Sequence, residues 1–199
     1  KIAQATTNRP VKITMPGPLT MADTNVNEFY DDPVKLGEDL ADCLNAEIKA
    51  LAAAGCTWIQ VDEPVLVRKP DAALKYAIEQ LDRVFDGVPD TVNKCMHMCC
   101  GYPDRIDRDD YPKADQDCYV QVAEKVNATV IDWVSLEDAH RYNDLTLLER
   151  YPDKGIIFGA VSIAKSRVEP IEEIAGRLTA ALQHIDTDRL IAAPDCGLG

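Results

Sequence analysis

The sequence predicts an α/β fold, and within that class a (β/α)-barrel of the TIM type. Three observations carry the prediction. Short apolar runs alternate with segments of helical spacing. Polar residues gather where those runs stop: Asp62-Glu63, His97 to Cys100, Glu137-Asp138 and Asp195-Cys196. No glycine-rich phosphate loop follows any run, since Gly17 and Gly101 stand alone, and this argues against an open dinucleotide-binding sheet. Chemistry collected at the C-terminal ends of several strands is the habit of a barrel.

Taken in order, the strand candidates are residues 11–15, 57–61, 93–99, 129–136, 155–161 and 190–193. The first is followed by the stripe Leu36, Leu40, Leu44, Ile48 and Leu51, ended by Gly55. A second stripe, Leu74, Ile78, Leu81 and Phe85, opens at Pro70-Asp71. Val122 and Val126 mark a shorter helix, and Ile171, Ile174, Leu178, Leu182 and Ile185 form the last, with Pro170 at its start. The polar stretch 104–117 reads as a surface loop. Six units are two short of eight. No repeat or linker divides the chain, so residues 1–199 are expected to form one catalytic barrel domain, incomplete.

Of the 199 residues, 46 % are hydrophobic and 28 % charged, the balance of a soluble globular protein. No apolar run is long enough to span a bilayer, and the first residues lack the apolar core of a signal peptide. These features predict a cytoplasmic protein with no membrane partner. A net charge of −13 repels polyanions and excludes nucleic acid as a natural ligand. The seven cysteines are odd in number and several sit in apolar runs, which disfavours a disulfide framework and leaves reduced thiols or a metal site.

The sharpest local signal is Cys95-Met96-His97-Met98-Cys99-Cys100. Residues two apart on a strand share a face, so Cys95, His97 and Cys99 point the same way. Imidazole nitrogen and thiolate sulfur are ligands zinc prefers. Read alone, such a His-x-Cys is more often packing, and Cys43, Cys56 and Cys118, on or beside helix patterns, take that structural reading. Cys95 is expected below the site and Cys100 facing away from it. Glu137 shares parity with Trp133 and Ser135; alone it reads as a solvated loop carboxylate. Cys196 follows a short apolar strand; alone it reads equally as a core thiol. Together His97, Cys99, Glu137 and Cys196 make a four-coordinate set spread over the domain, and a site so assembled is more often catalytic than structural.

Val61-Asp62-Glu63-Pro64, His97-Met98-Cys99, Val134-Ser135-Leu136-Glu137 and Pro194-Asp195-Cys196-Gly197-Leu198 resemble the catalytic barrel of cobalamin-independent methionine synthases, in that family's order. The segment Ile13-Thr14-Met15-Pro16-Gly17-Pro18-Leu19-Thr20 is similar to another part of it. The resemblance implies a (β/α)8 barrel of which this sequence carries strands three to eight, without the first two strands and the last helix. It implies Zn2+ held by His97, Cys99, Glu137 and Cys196, homocysteine as thiol acceptor, and Asp62 on the amino group of the amino-acid substrate. The family's methyl donor is a methylated folate. Where folate-using members carry a histidine this sequence has Ala164, followed by Lys165, so a methylated corrinoid donor or another small thiol acceptor stands beside the leading reading, as does a catalytically silent zinc-binding relative. Six strands with open sheet edges would also favour association, hence a homo-oligomer.

Overall fold

The computed structural model describes residues 2–108 and 110–198. Six strands form a single parallel sheet in chain order: β1 Lys12–Pro16, β2 Trp58–Asp62, β3 Asn93–Met98, β4 Trp133–Leu136, β5 Gly155–Val161 and β6 Leu190–Pro194. The helices are α1 Ile2–Ala5, α2 Pro18–Thr24, α3 Pro33–Ala53, α4 Pro64–Arg68, α5 Pro70–Ala72, α6 Ile78–Val84, α7 Asp117–Asn127 and α8 Ile171–Ala181. A π-helical turn, Ala73–Ala77, joins α5 to α6.

The strand order decides the architecture. In a doubly wound sheet the order reverses at a switch point, because helices cover both faces. Here it never reverses. Every crossover returns to the same face, and the other face is left as a concave interior, the wall of a (β/α)-barrel. The register shows which side chains each face receives. Thr14, Gln60, Cys95, Trp133 and Gly155 lie in one row across the strands; Pro16, Asp62, His97, Ser135, Ile157 and Ile191 lie in the row above. The alternate residues Ile59, Val61, Met96, Met98, Val134, Leu136, Ile156 and Phe158 face the helices. They are buried with Ile48 of α3, Ile78 and Leu81 of α6, and Val122 and Val126 of α7.

Proline sets several helix starts. It occupies the first turn of α2, α3, α4 and α5, where its missing N–H costs nothing. The Asp32 side chain adds a cap to α3 by accepting from the Val34 N–H. Helices α2 and α4, which start within two residues of a strand end, have no long apolar stripe and were not expected from periodicity.

Several sequence expectations need correction. The fourth strand is shorter than residues 129–136, because Thr129 turns back on the Val126 carbonyl and regular pairing starts at Trp133. Leu74 is 37 % exposed, whereas Ala73 and Ala77 are buried; the π turn adds a residue to that turn and rotates the stripe. Ile171 is 80 % exposed and Leu182 is also exposed, so the stripe of α8 is narrower than its spacing implied. Cys56 and Cys118 are half-buried and pack against the core, as expected, whereas Cys43 is exposed and does not. All seven cysteines are free. Residues 104–117 carry neither strand nor long helix before α7, except that Asp109 lies outside the described residues. Among the described residues, no helix is long and apolar enough to cross a membrane.

Candidate metal centre

His97 stands on the inner face of β3, between Asp62 on one neighbouring strand and Ser135 on the other. Its Nδ1 shares a hydrogen bond of 3.0 Å with Ser135 Oγ. Its Nε2 is buried and has no hydrogen-bond partner. A buried polar atom is seldom left so, and an orphan imidazole nitrogen beside two thiols points to a ligand. Cys99 lies one residue beyond β3 and Cys196 two beyond β6. One ring nitrogen of His97 and the sulfurs of Cys99 and Cys196 all lie within 4.8 Å of one another.

The two thiols are unequal. The Cys196 thiol is held well below the ordinary range, chiefly by the neighbouring Cys99 thiol and also by the nearby His97 ring. Cys99 is pushed up by donating to Cys196 and by burial. Two sulfurs and an imidazole nitrogen form a donor set of the kind zinc prefers.

Glu137 is not part of this mutual grouping. It sits one residue past β4, buried, and both carboxylate oxygens are engaged. The Cys100 N–H and the Tyr119 hydroxyl donate to Oε1 at 2.7 and 2.5 Å, and the Tyr102 hydroxyl donates to Oε2 at 2.8 Å. The solvated loop carboxylate that its sequence position suggested in isolation is therefore excluded. Asp62 closes β2 with its Oδ1 accepting from Gln60 Nε2 at 2.7 Å, and burial raises its carboxyl above the usual range. A cavity of about 320 Å³ lined by Thr14, Gln60, Asp62, His97, Ser135 and Cys196 opens over the inner face.

The supporting residues were largely hidden in the sequence. Asp195 is buried and takes three backbone N–H groups, from Asp138, Ala139 and His140, at 2.8, 2.9 and 2.6 Å. This ties the segment after β4, which bears Glu137, to the segment after β6, which bears Cys196. The approach requires Gly159, where a Cβ would lie 2.4 Å from Asp195 Oδ1. Arg177 of α8 pairs with Asp138, and Asn143 Nδ2 donates to the Glu137 carbonyl at 2.6 Å. Glu63 takes the N–H groups of Leu19 and Thr20 and the Thr20 hydroxyl, capping α2. Of these, Glu63, Asp138 and Asp195 stood among the polar residues at the strand ends, but their partners could not be read from the sequence.

Comparison with known proteins agrees with this geometry. The chain is 32 % identical over 198 residues to a methionine synthase of Thermococcus kodakarensis, covering 99 % of this chain and 53 % of that one. A methionine synthase of Saccharolobus islandicus is 32 % identical over 191 residues, covering 94 % and 52 %. The chain thus spans about half the length of the curated relatives it matches. A B12-independent methionine synthase from Shewanella sp. W3-18-1, solved in complex with selenomethionine, superposes with a TM-score of 0.87 at 32 % identity, over 98 % of this chain and 57 % of that one. The family described as the catalytic domain of cobalamin-independent synthases matches residues 1–199, and the chain belongs to it.

Proposed function

We propose that the protein is a zinc-dependent methyltransferase that moves a methyl group to the thiol of homocysteine, giving methionine. The observation that carries this reading is the convergence of His97, Cys99 and Cys196 beside Asp62 on one concave face. His97, Cys99 and Cys196 would hold the zinc, with Glu137 as the fourth ligand. When bound, zinc supplies what a free thiol lacks at neutral pH, a deprotonated sulfur that remains nucleophilic. Asp62 offers a carboxylate to the ammonium group of the amino acid, and the cavity beside it takes the carbon chain. Ser135 fixes the orientation of His97, and Asp195 fixes the distance between the segments bearing Glu137 and Cys196.

Relatives named methionine synthase support the acceptor, and the selenomethionine in the Shewanella structure is an analogue of the expected product. A methylated folate is the donor that fits the family; neither the comparisons nor the described residues lend support to a corrinoid donor or a homo-oligomer.

The test is metal content together with transfer of labelled methyl groups. The protein should bind about one zinc, as one four-ligand site implies. Cys99→Ser and Cys196→Ser should each release it and abolish transfer. Full metal retention in both variants, or methylation of another thiol with none of homocysteine, would overturn the reading.

A further inference from the structure

Asp62 does not stand alone on the inner face. The side chains of Lys12 on β1, Gln60 on β2 and Asp62 two residues further form a continuous hydrogen-bonded chain. Lys12 Nζ donates to Gln60 Oε1, and Gln60 Nε2 donates to Asp62 Oδ1 at 2.7 Å. The polarity of this chain has one sense only. An ammonium group has donors and no acceptor, and an ionised carboxylate has acceptors and no donor. A Gln60 amide turned over would set its NH2 against the Lys12 ammonium and its oxygen against the Asp62 carboxylate. Lys12 therefore fixes which end of the amide faces Asp62, and the amide fixes Asp62 Oδ1. The other oxygen, Oδ2, has no hydrogen-bond partner among the described residues, on a residue that lines the same cavity as His97 and Cys196.

We propose that Lys12 and Gln60 are positioning residues for the amino-acid substrate: together they hold Asp62 with one carboxylate oxygen turned to the cavity to receive the substrate's ammonium group. The inference rests on the homocysteine reading above and adds to it a device for selecting thiols that carry an α-amino group. Register explains why the three residues act as a unit. Lys12 starts its strand one row below Gln60, and its long side chain climbs that distance to the amide. Gln60 and Asp62 share a face of β2 because they are two residues apart. A carboxylate fixed in advance loses less side-chain freedom when the ammonium arrives.

The experiment compares two thiols on the full-length zinc-loaded protein: homocysteine and 4-sulfanylbutanoic acid, which lacks only the amino group. Thiol binding is read from the charge-transfer band of the cobalt-substituted protein, and KM and kcat are measured separately with zinc. Wild type should prefer homocysteine. Gln60→Leu and Lys12→Met should each lose about tenfold of that preference through KM for homocysteine, with metal content and binding of the deaminated thiol unchanged. Lys12→Arg, which keeps a donor for Oε1, should retain most of the preference. An unchanged preference in Gln60→Leu, or equal weakening for both thiols, would overturn the proposal while leaving the homocysteine reading intact. A wild type that binds neither thiol at the metal would overturn the reading and the proposal with it.

Discussion

The two ring nitrogens of His97 have different fates, and the difference defines what the residue can do. In the tautomer in which Nδ1 donates to Ser135 Oγ, the lone pair is on Nε2, the nitrogen that is buried without a partner. A partner on the far nitrogen fixes both tautomer and ring orientation, and such partners matter nearly as much as the ligands. Ser135→Ala should therefore leave the fold intact and weaken zinc binding by about 10- to 100-fold. Competition with a coloured zinc chelator measures this directly; unchanged affinity would show that His97 is oriented by packing alone. Glu137 presents the opposite case, a carboxylate with three donors already in place. For it to ligate metal, at least one lone pair must remain available beside Tyr119, Tyr102 and the Cys100 N–H. A carboxylate offers about four such sites, so three donors leave one.

Among the elements, the loops after the strands are held by buried carboxylates. Asp195 joins the ends of β4 and β6, and Glu63 joins the end of β2 to the start of α2. Burial pushes the carboxyl groups of both up to about 7, against the pull of their hydrogen bonds. The sign for Glu63 follows from linkage. A carboxyl whose folded pKa exceeds its unfolded value binds its proton more tightly in the fold, so its contribution is full below about pH 4.5 and is lost as pH rises to about 7. The stability of wild type relative to Glu63→Gln should thus fall across that window, by at most on the order of 3 kcal/mol, and stay level above it. Urea unfolding of both proteins at pH 4.5, 6 and 7.5 checks this; a difference independent of pH would mean that Glu63 titrates normally. Gly17 is part of the same device, since a Cβ there would meet Glu63 Oε1 at 2.2 Å. None of this was legible from periodicity. The strand that carries Asp62 could be read from its alternation, but the capping role of Glu63 depends on a contact 43 or 44 residues away. Residue type singled out His97, Cys99 and Cys196, which the fold brings within 4.8 Å of one another, because imidazole and thiols are rare at strand ends. It could not give the roles of Asp195, Ser135 or Tyr102, whose side chains are ordinary and whose contacts arise only from the way the strand ends are brought together.

For the molecule as a whole, alternation of apolar runs and helical stripes was enough to place all six strands, because a parallel sheet requires a crossover between successive strands. What alternation could not show is the direction of winding, which needs the observed strand order. That order has a thermodynamic consequence. His97 and Cys99 follow from β3, whereas Cys196 follows from β6, and β4 and β5 lie between them in the sheet. A metal bound at this cluster ties together parts of the wall that are not hydrogen-bonded neighbours, and the unfolded chain has no preformed site to compete for it. Metal binding then stabilises the fold by mass action: roughly 4 kcal/mol when the free ion is a thousand times its dissociation constant. For a domain of this size each kcal/mol shifts the melting temperature by about 2–4 °C. Stripping zinc with a strong chelator should lower the melting temperature of wild type by on the order of 10 °C, and readdition should restore it. Cys196→Ser should melt at the same temperature with and without chelator. Calorimetry on the four samples decides the matter: a wild-type transition that ignores removal of the metal would mean that the cluster does not brace the sheet across β4 and β5.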